Sequence, residues 1–118
     1  MKNHELLIVF MENNPYGIVL ITASSQKEAE TIAKTLIEEY LAACVNFMPV
    51  TSVYRWQGKV CQDSEWQLIV KTDLRLFPRL ESRIRELHSY ELPEMIALPI
   101  INGSKLYLDW IQHNVINS

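Results

Sequence analysis

The sequence predicts an α+β fold in which two strand–helix–strand halves interleave, and three observations point to it. Apolar residues recur at helical spacing in two stretches, 29–41 and 76–87. Around and between them lie short runs rich in Val, Ile, Phe, Tyr and Trp, the residues that suit a pleated, buried surface. The resulting order is strand, helix, strand, strand, helix, strand and a short tail helix. With 118 residues, 48% of them hydrophobic, the chain has apolar material for one core and too little length for two ordinary domains.

Residues 1–14 read as a leader of open order, ahead of one domain over 15–118. Its apolar run, Leu6 to Met11, is too short for a signal peptide or a membrane span. It fits an extra strand or a disordered leader equally well, and Met11 is an alternative start. Tyr16 to Ala23, bounded by Pro15 and by Ser24 and Ser25, reads as the first core strand, central and buried on both faces. Ser24 or Ser25 then offers an N-cap, and Glu28 stands three residues after Ser25 as the partner in a capping box. The helix that follows places Ala29, Ile32, Ala33, Leu36, Ile37, Tyr40 and Leu41 on one stripe, with Lys27, Glu30, Lys34, Glu38 and Glu39 between them.

Cys44 to Gln57 and Val60 to Lys71 form a long hairpin about Gly58 and Lys59, with Pro49 predicting a bulge or bend in the first arm. Arg75 to Leu87 returns to helical spacing through Leu76, Leu80, Ile84 and Leu87, with Asp73 as cap and Pro78 confined to the first turn. Met95 to Ile101 is the last strand, and its Pro99 puts it at a sheet edge. Ser104 caps a tail helix carrying Leu106, Tyr107, Trp110 and Ile111. Right-handed crossovers interleave these elements into a ferredoxin-like sandwich, a four-stranded antiparallel sheet with two helices on one face. The strands are apolar on both faces, so the second face needs the tail helix, another subunit, or both to cover it.

Eleven Lys and Arg against fourteen Asp and Glu give a net charge of -3, and the basic residues are scattered. Nucleic acid and an anionic membrane surface are therefore not the expected partners. The two cysteines, Cys44 and Cys61, have no CxxC spacing, and without a secretory signal they read as free thiols of a reducing, cytoplasmic compartment. Three glycines leave no Gly-rich phosphate loop, and no Ser-His-Asp order appears.

Several segments together resemble the CutA family of divalent-cation-tolerance proteins. They are Leu41-Ala42-Ala43-Cys44-Val45-Asn46, Ser52-Val53-Tyr54-Arg55-Trp56-Gln57-Gly58-Lys59, Glu65-Trp66-Gln67-Leu68-Ile69-Val70-Lys71-Thr72, His88-Ser89-Tyr90-Glu91-Leu92-Pro93-Glu94 and Tyr107-Leu108-Asp109-Trp110. They stand in family order and spacing, and the resemblance runs from about Tyr16 to Val115. It implies a stable homotrimer of ferredoxin-like subunits, similar in outline to the PII signalling proteins, linked to copper and other divalent cations and without a catalysed reaction. Three departures stand out: Ser89 follows His88 where the family usually has Pro, Thr22-Ala23-Ser24-Ser25 lacks a common Pro, and the leader has no counterpart. The second loosens the loop that frames any pocket, since Pro fixes φ and Ser does not.

Each candidate residue has a chemical and a packing reading. Cys44 offers a thiolate to Cu(I), yet a small residue at a helix-to-strand junction is often simply buried. His88, near Glu91 and Glu94, supplies an imidazole for Cu(II) or Zn(II), or it caps the second helix. Period two puts Glu65 and Lys71 on one strand face, which invites a ligand or an interface ion pair. The resemblance places Trp56, Glu65, Lys71, His88 and Tyr107 around a cleft between subunits. Trp56, Trp66 and Trp110 serve as stacking platforms or as packing. The expected function is a homotrimer that binds copper, another divalent ion or a small sensed ligand, with no required cofactor and no catalysis. Two alternatives stay open, an enzyme using Glu65, Lys71 and His88 for acid–base work, and a trimeric scaffold for a protein partner.

Overall fold

A computed structural model describes residues 3–6, 9 and 14–116. Strands β1 (Tyr16–Ala23), β2 (Cys44–Trp56), β3 (Lys59–Asp73) and β4 (Met95–Pro99) form one sheet in the order β2-β3-β1-β4, with every neighbouring pair antiparallel. Helices α1 (Gln26–Glu38), α2 (Phe77–Leu87) and α3 (Lys105–His113) complete the fold, with a 3-10 turn at Leu74–Leu76 leading into α2. This is the ferredoxin-like α+β arrangement that the element order predicts.

Alternation along the strands builds the core. Val19 and Ile21 of β1 pair with Val70 and Leu68 of β3, and all four are fully buried beneath Ala29, Ile32 and Leu36 of α1 and Leu80 and Ile84 of α2. The stripe predicted for α1 ends earlier than its sequence pattern. Tyr40 adopts left-handed backbone (φ 58°), which turns the chain and leaves Ile37 and Tyr40 exposed, while the Leu41 N–H still reaches the Leu36 carbonyl at 2.9 Å. Asp73 caps the 3-10 turn through the Arg75 N–H (2.8 Å), and Pro78 falls in the first turn of α2, where its missing N–H costs nothing.

The hairpin turns on Gln57 and Gly58, both with positive φ, so its two-residue loop follows the twist of the strands. The bulge predicted at Pro49 is absent: pairing runs without a register change from Cys44↔Lys71 through Pro49↔Trp66 to Trp56↔Lys59. β2 is an edge strand, with one side free of ladder bonds, and there a residue without an N–H is tolerated. β4 is the other edge, as Pro99 indicates, and it stops at Pro99 rather than Ile101.

On the second face stand Ile18, Leu20, Ile69, Ile96 and Leu98, placed there by the pairing register. α3 lies over the Lys71 end of this face, where the Tyr16 hydroxyl donates to Gln112 Oε1 (3.1 Å). The β4 side stays open, with Ile96 50% and Leu98 45% exposed. In the leader, Leu6 and Val9 are helical rather than strand, and Leu7, Ile8, Phe10 and Met11 lie outside the described residues.

Candidate functional site

A concavity of about 850 Å³ opens between the outer half of the β2–β3 hairpin and the 88–94 segment that joins α2 to β4. Register puts Ser52, Tyr54 and Trp56 opposite Asp63, Cys61 and Lys59, and Val50 opposite Glu65, so these side chains project to one face of the hairpin. Arg55 alternates to the other face. Across the concavity lie Tyr90, Glu91, Pro93 and Glu94.

Neutral donors hold the carboxylates in place. Tyr90 donates its hydroxyl to Glu65 Oε2 (2.8 Å), and Tyr54 donates to Asp63 Oδ2. Gln67 Nε2 donates to Glu94 Oε2 at 3.3 Å. The hydrogen bond to Asp63, with some burial and the charge of Asp63 behind it, pushes the Tyr54 hydroxyl up to about 12. Burial first, then the hydrogen bond and charge of Glu65, raise that of Tyr90.

His88 anchors the 88–94 segment. Its ring is fully buried, with Nε2 2.6 Å from the Thr22 carbonyl oxygen and Nδ1 accepting the Tyr90 N–H at 3.0 Å. This pattern assigns the neutral tautomer protonated at Nε2, so both ring nitrogens are engaged. Beside it Glu28 joins two segments. Its Oε1 accepts the N–H (3.0 Å) and hydroxyl (3.3 Å) of Ser24, and its Oε2 accepts the N–H of Ser89 (3.0 Å). Burial pushes the Glu28 carboxyl up, but the hydrogen bonds from Ser24 and Ser89 outweigh it and hold the group below its ordinary value. Ser24, within the 22–25 segment that lacks a Pro, and Ser89 therefore meet at one carboxylate. A proline at either position would have no N–H to give, so the loosening expected of the 22–25 segment is offset by a polar tie.

The five cleft residues fall into two groups within the chain. Trp56 and Glu65 line the concavity, and His88 reaches it through Tyr90, with ring centroids 4.8 Å apart. Lys71 and Tyr107 sit together at the far end of β3, the ammonium 5.8 Å from the ring centroid. Six residues of strand, roughly 20 Å, separate Lys71 from Glu65, so Glu65, Lys71 and His88 do not assemble as an acid–base trio in one chain. Cys44 pairs with Lys71 and belongs to that far end, away from His88. Among the described residues no three His, Cys, Asp or Glu side chains gather as a metal-binding group. Cys44 and Cys61 are free, half-buried thiols.

Tyr54, Asp63 and Glu28 carry much of this geometry without having been singled out as site residues. Period two, which relates Glu65 to Lys71, also puts Asp63 and Tyr54 on the Glu65 face once the hairpin turn is fixed at Gln57 and Gly58. No sequence signal joins Glu28 to Ser89, sixty-one positions apart.

Comparison with known proteins gives the same outline. Residues 17–114 match the profile of the family described as CutA1 divalent ion tolerance protein. The divalent-cation tolerance protein CutA of Thermus thermophilus is 54% identical over 98 residues, which are 82% of this chain and 95% of that protein. The chloroplastic CutA protein of Arabidopsis thaliana is 41% identical over 87% of this chain, which spans 57% of its length. The solved Thermus structure superposes with a TM-score of 0.83 at 52% identity, covering 85% of this chain and 98% of that one. The periplasmic divalent cation tolerance protein CutA of Archaeoglobus fulgidus gives 0.84 at 42% identity, covering 86% and 99%. Among the described residues no helix is long and apolar enough to cross a membrane. With a family profile over residues 17–114 and a relative 54% identical over 98 residues, the chain belongs to the CutA1 divalent ion tolerance family.

Proposed function

We propose that the protein is a cytoplasmic homotrimer that binds a small ligand or a divalent metal ion in clefts between its subunits, and serves ion tolerance without catalysing a reaction. The observation that carries this reading is the division of the candidate residues. Trp56, Glu65 and His88 lie at one end of β3, and Lys71, Tyr107 and Cys44 at the other, so one chain does not gather them around a single ligand. A second copy that brings its Lys71 end to the first copy's concavity would complete the cleft. The half-exposed Ile96 and Leu98 supply an apolar face for that contact, and free thiols suit a reducing compartment.

Light scattering on the purified, reduced protein is expected to give three times the chain mass. Calorimetric titration with Cu(I) under a competing chelator, beside Cys44→Ser, tests the metal arm. Binding lost in a still-trimeric variant assigns that thiolate as donor, whereas binding unchanged by it moves the ligand to the Glu65 end. A monomeric mass at micromolar concentration would overturn the reading.

A further inference from the structure

The two ring nitrogens of His88 hold two different segments of the chain. Nε2 faces the Thr22 carbonyl oxygen, which can only accept, so this nitrogen carries the proton. Nδ1 accepts the Tyr90 N–H, so it is bare, and the ring has no free lone pair for a metal ion. Imidazole is the side chain suited to change its charge in mild acid. A second proton can enter only at Nδ1, and there it would confront the Tyr90 N–H, two donors with no acceptor between them. The ring is fully buried, so solvent does not relieve the conflict. Among the described residues Glu28 of α1 is the charge facing Nδ1, but its Oε1 is 3.9 Å away and already takes the N–H and hydroxyl of Ser24. Thr22 and Ser24, on the β1 side, are neutral, and Arg85, one turn earlier on α2, pairs with Glu81. Tyr90 packs against the ring, and beyond it lie Glu65 and Asp63 of β3 and Glu94, with a second copy's Lys71 at Glu65 on the cleft reading.

One wall of the concavity hangs on this amide. The residue that His88 holds by its backbone is the one whose hydroxyl donates to Glu65 Oε2 at 2.8 Å. Ser89, one position earlier, is held separately, its N–H donating to Glu28 Oε2. The 88–94 segment thus has a pinned end at Ser89 and a releasable one from Tyr90 onward. We propose that His88 is a proton-operated latch: with Nδ1 bare it holds the 88–94 segment closed, and one proton taken from solvent at Nδ1 releases Tyr90 from the ring and draws its hydroxyl off Glu65. The use of the latch rests on the cleft reading, since Tyr90 and Glu65 form one side of that cleft, while the latch itself lies within one chain.

Nitrogen NMR of the ring, with amide exchange at Ser89 and Tyr90, tests the latch on the intact protein between about pH 8 and about pH 4.5. The ring is expected to be protonated at Nε2 alone at the upper end and at both nitrogens in acid. At the same midpoint the Tyr90 protection factor, already corrected for the intrinsic pH dependence of exchange, should fall about five- to tenfold, the equivalent of one hydrogen bond. Ser89 should stay protected until its acceptor Glu28 titrates, which happens below the ordinary carboxylate value. His88→Gln keeps a donor for Thr22 but has nothing to titrate, so the Tyr90 step should vanish in it. If His88→Gln does not fold, the two midpoints in the unsubstituted protein decide alone. An imidazolium formed with Tyr90 protection unchanged overturns the latch, as does a ring that stays neutral until the whole chain unfolds. Tyr90 and Ser89 opening together, or a Tyr90 step that persists in His88→Gln, also overturns it and moves the cause to a carboxylate. None of these readouts needs a second copy, so a monomeric mass by light scattering would remove the cleft reading and leave the latch standing.

Discussion

Glu28 ties the start of α1 to the 88–94 segment, and its removal has a calculable effect. Glu28→Ala leaves the N–H groups of Ser24 and Ser89 without their carboxylate acceptor. A hydrogen bond to a charged group contributes about 1.5–3 kcal/mol when well shielded, and water replaces part of that here because Ser24 and Ser89 are surface residues. The expected loss is about 1–3 kcal/mol for the pair, or roughly 5–15 °C in Tm at matched protein concentration. Glu28→Gln keeps one carbonyl oxygen and should lose about half as much. Because the folded carboxyl titrates below its ordinary 4.5, its stabilisation is complete above that pH and fades as pH falls through the lower, folded value. The stability gap between the native protein and Glu28→Gln should therefore be constant near neutrality and close in acid. Thermal melts from pH 7 down to 3, with amide exchange read at Ser89, measure both effects. Unchanged Ser89 exchange and a Tm within about 1 °C in Glu28→Ala would refute the reasoning.

Other substitutions test the packing and the electrostatics. A Cβ on Gly17 would sit 2.3 Å from Leu74 Cγ, so Gly17→Ala should cost about 1–3 kcal/mol by overpacking, and adding Leu74→Ala should recover part of it; a double-mutant cycle by denaturant unfolding reads the coupling. Leu36→Ala empties a fully buried position between α1 and the sheet and should cost about 2–5 kcal/mol in the same assay. Asp63→Asn should bring the Tyr54 hydroxyl down from about 12 toward its ordinary 10, seen by ultraviolet difference titration, and an unmoved titration would remove Asp63 as the cause. Charging the open sheet face with Ile96→Asp and Leu98→Asp should lower the mass found by light scattering while leaving the far-ultraviolet spectrum of the subunit recognisable; an unchanged mass would show that this face is not an interface.

The strands and helices were legible because their periods are clean. Val19 and Ile21 alternate with Ile18 and Leu20, and Ala29, Ile32, Ala33 and Leu36 follow a helical stripe. Misreadings arose where context outweighed a local rule. Pro49 reads as a bulge in isolation, but an edge strand leaves its nitrogen unneeded, and Tyr40 continues the α1 stripe while its backbone has already turned left-handed. For the candidate site, period two relates Glu65 to Lys71 as side chains on one face, but that rule carries no distance, and six residues of strand keep the two apart. The Tyr90–Glu65, Glu28–Ser89 and His88–Thr22 contacts join segments 25, 61 and 66 positions apart, and only the closed fold creates them.

The outer hairpin has its own thermodynamic consequence. β1 pairs with β3 only as far as Trp66, so the seven rows from Val50↔Glu65 to Trp56↔Lys59 form a two-stranded ribbon with no third strand. A ribbon of that kind is marginal in water by itself. β3 is thus one strand with two local stabilities, firm from Trp66 to Asp73 and prone to sub-global opening from Lys59 to Glu65. The ribbon can melt while the core persists, and its order is set by whatever rests against it, a ligand in the concavity or another copy. Occupancy would then be written along the strand as a gradient of amide protection, steep when the outer half is bare and flat when it is covered.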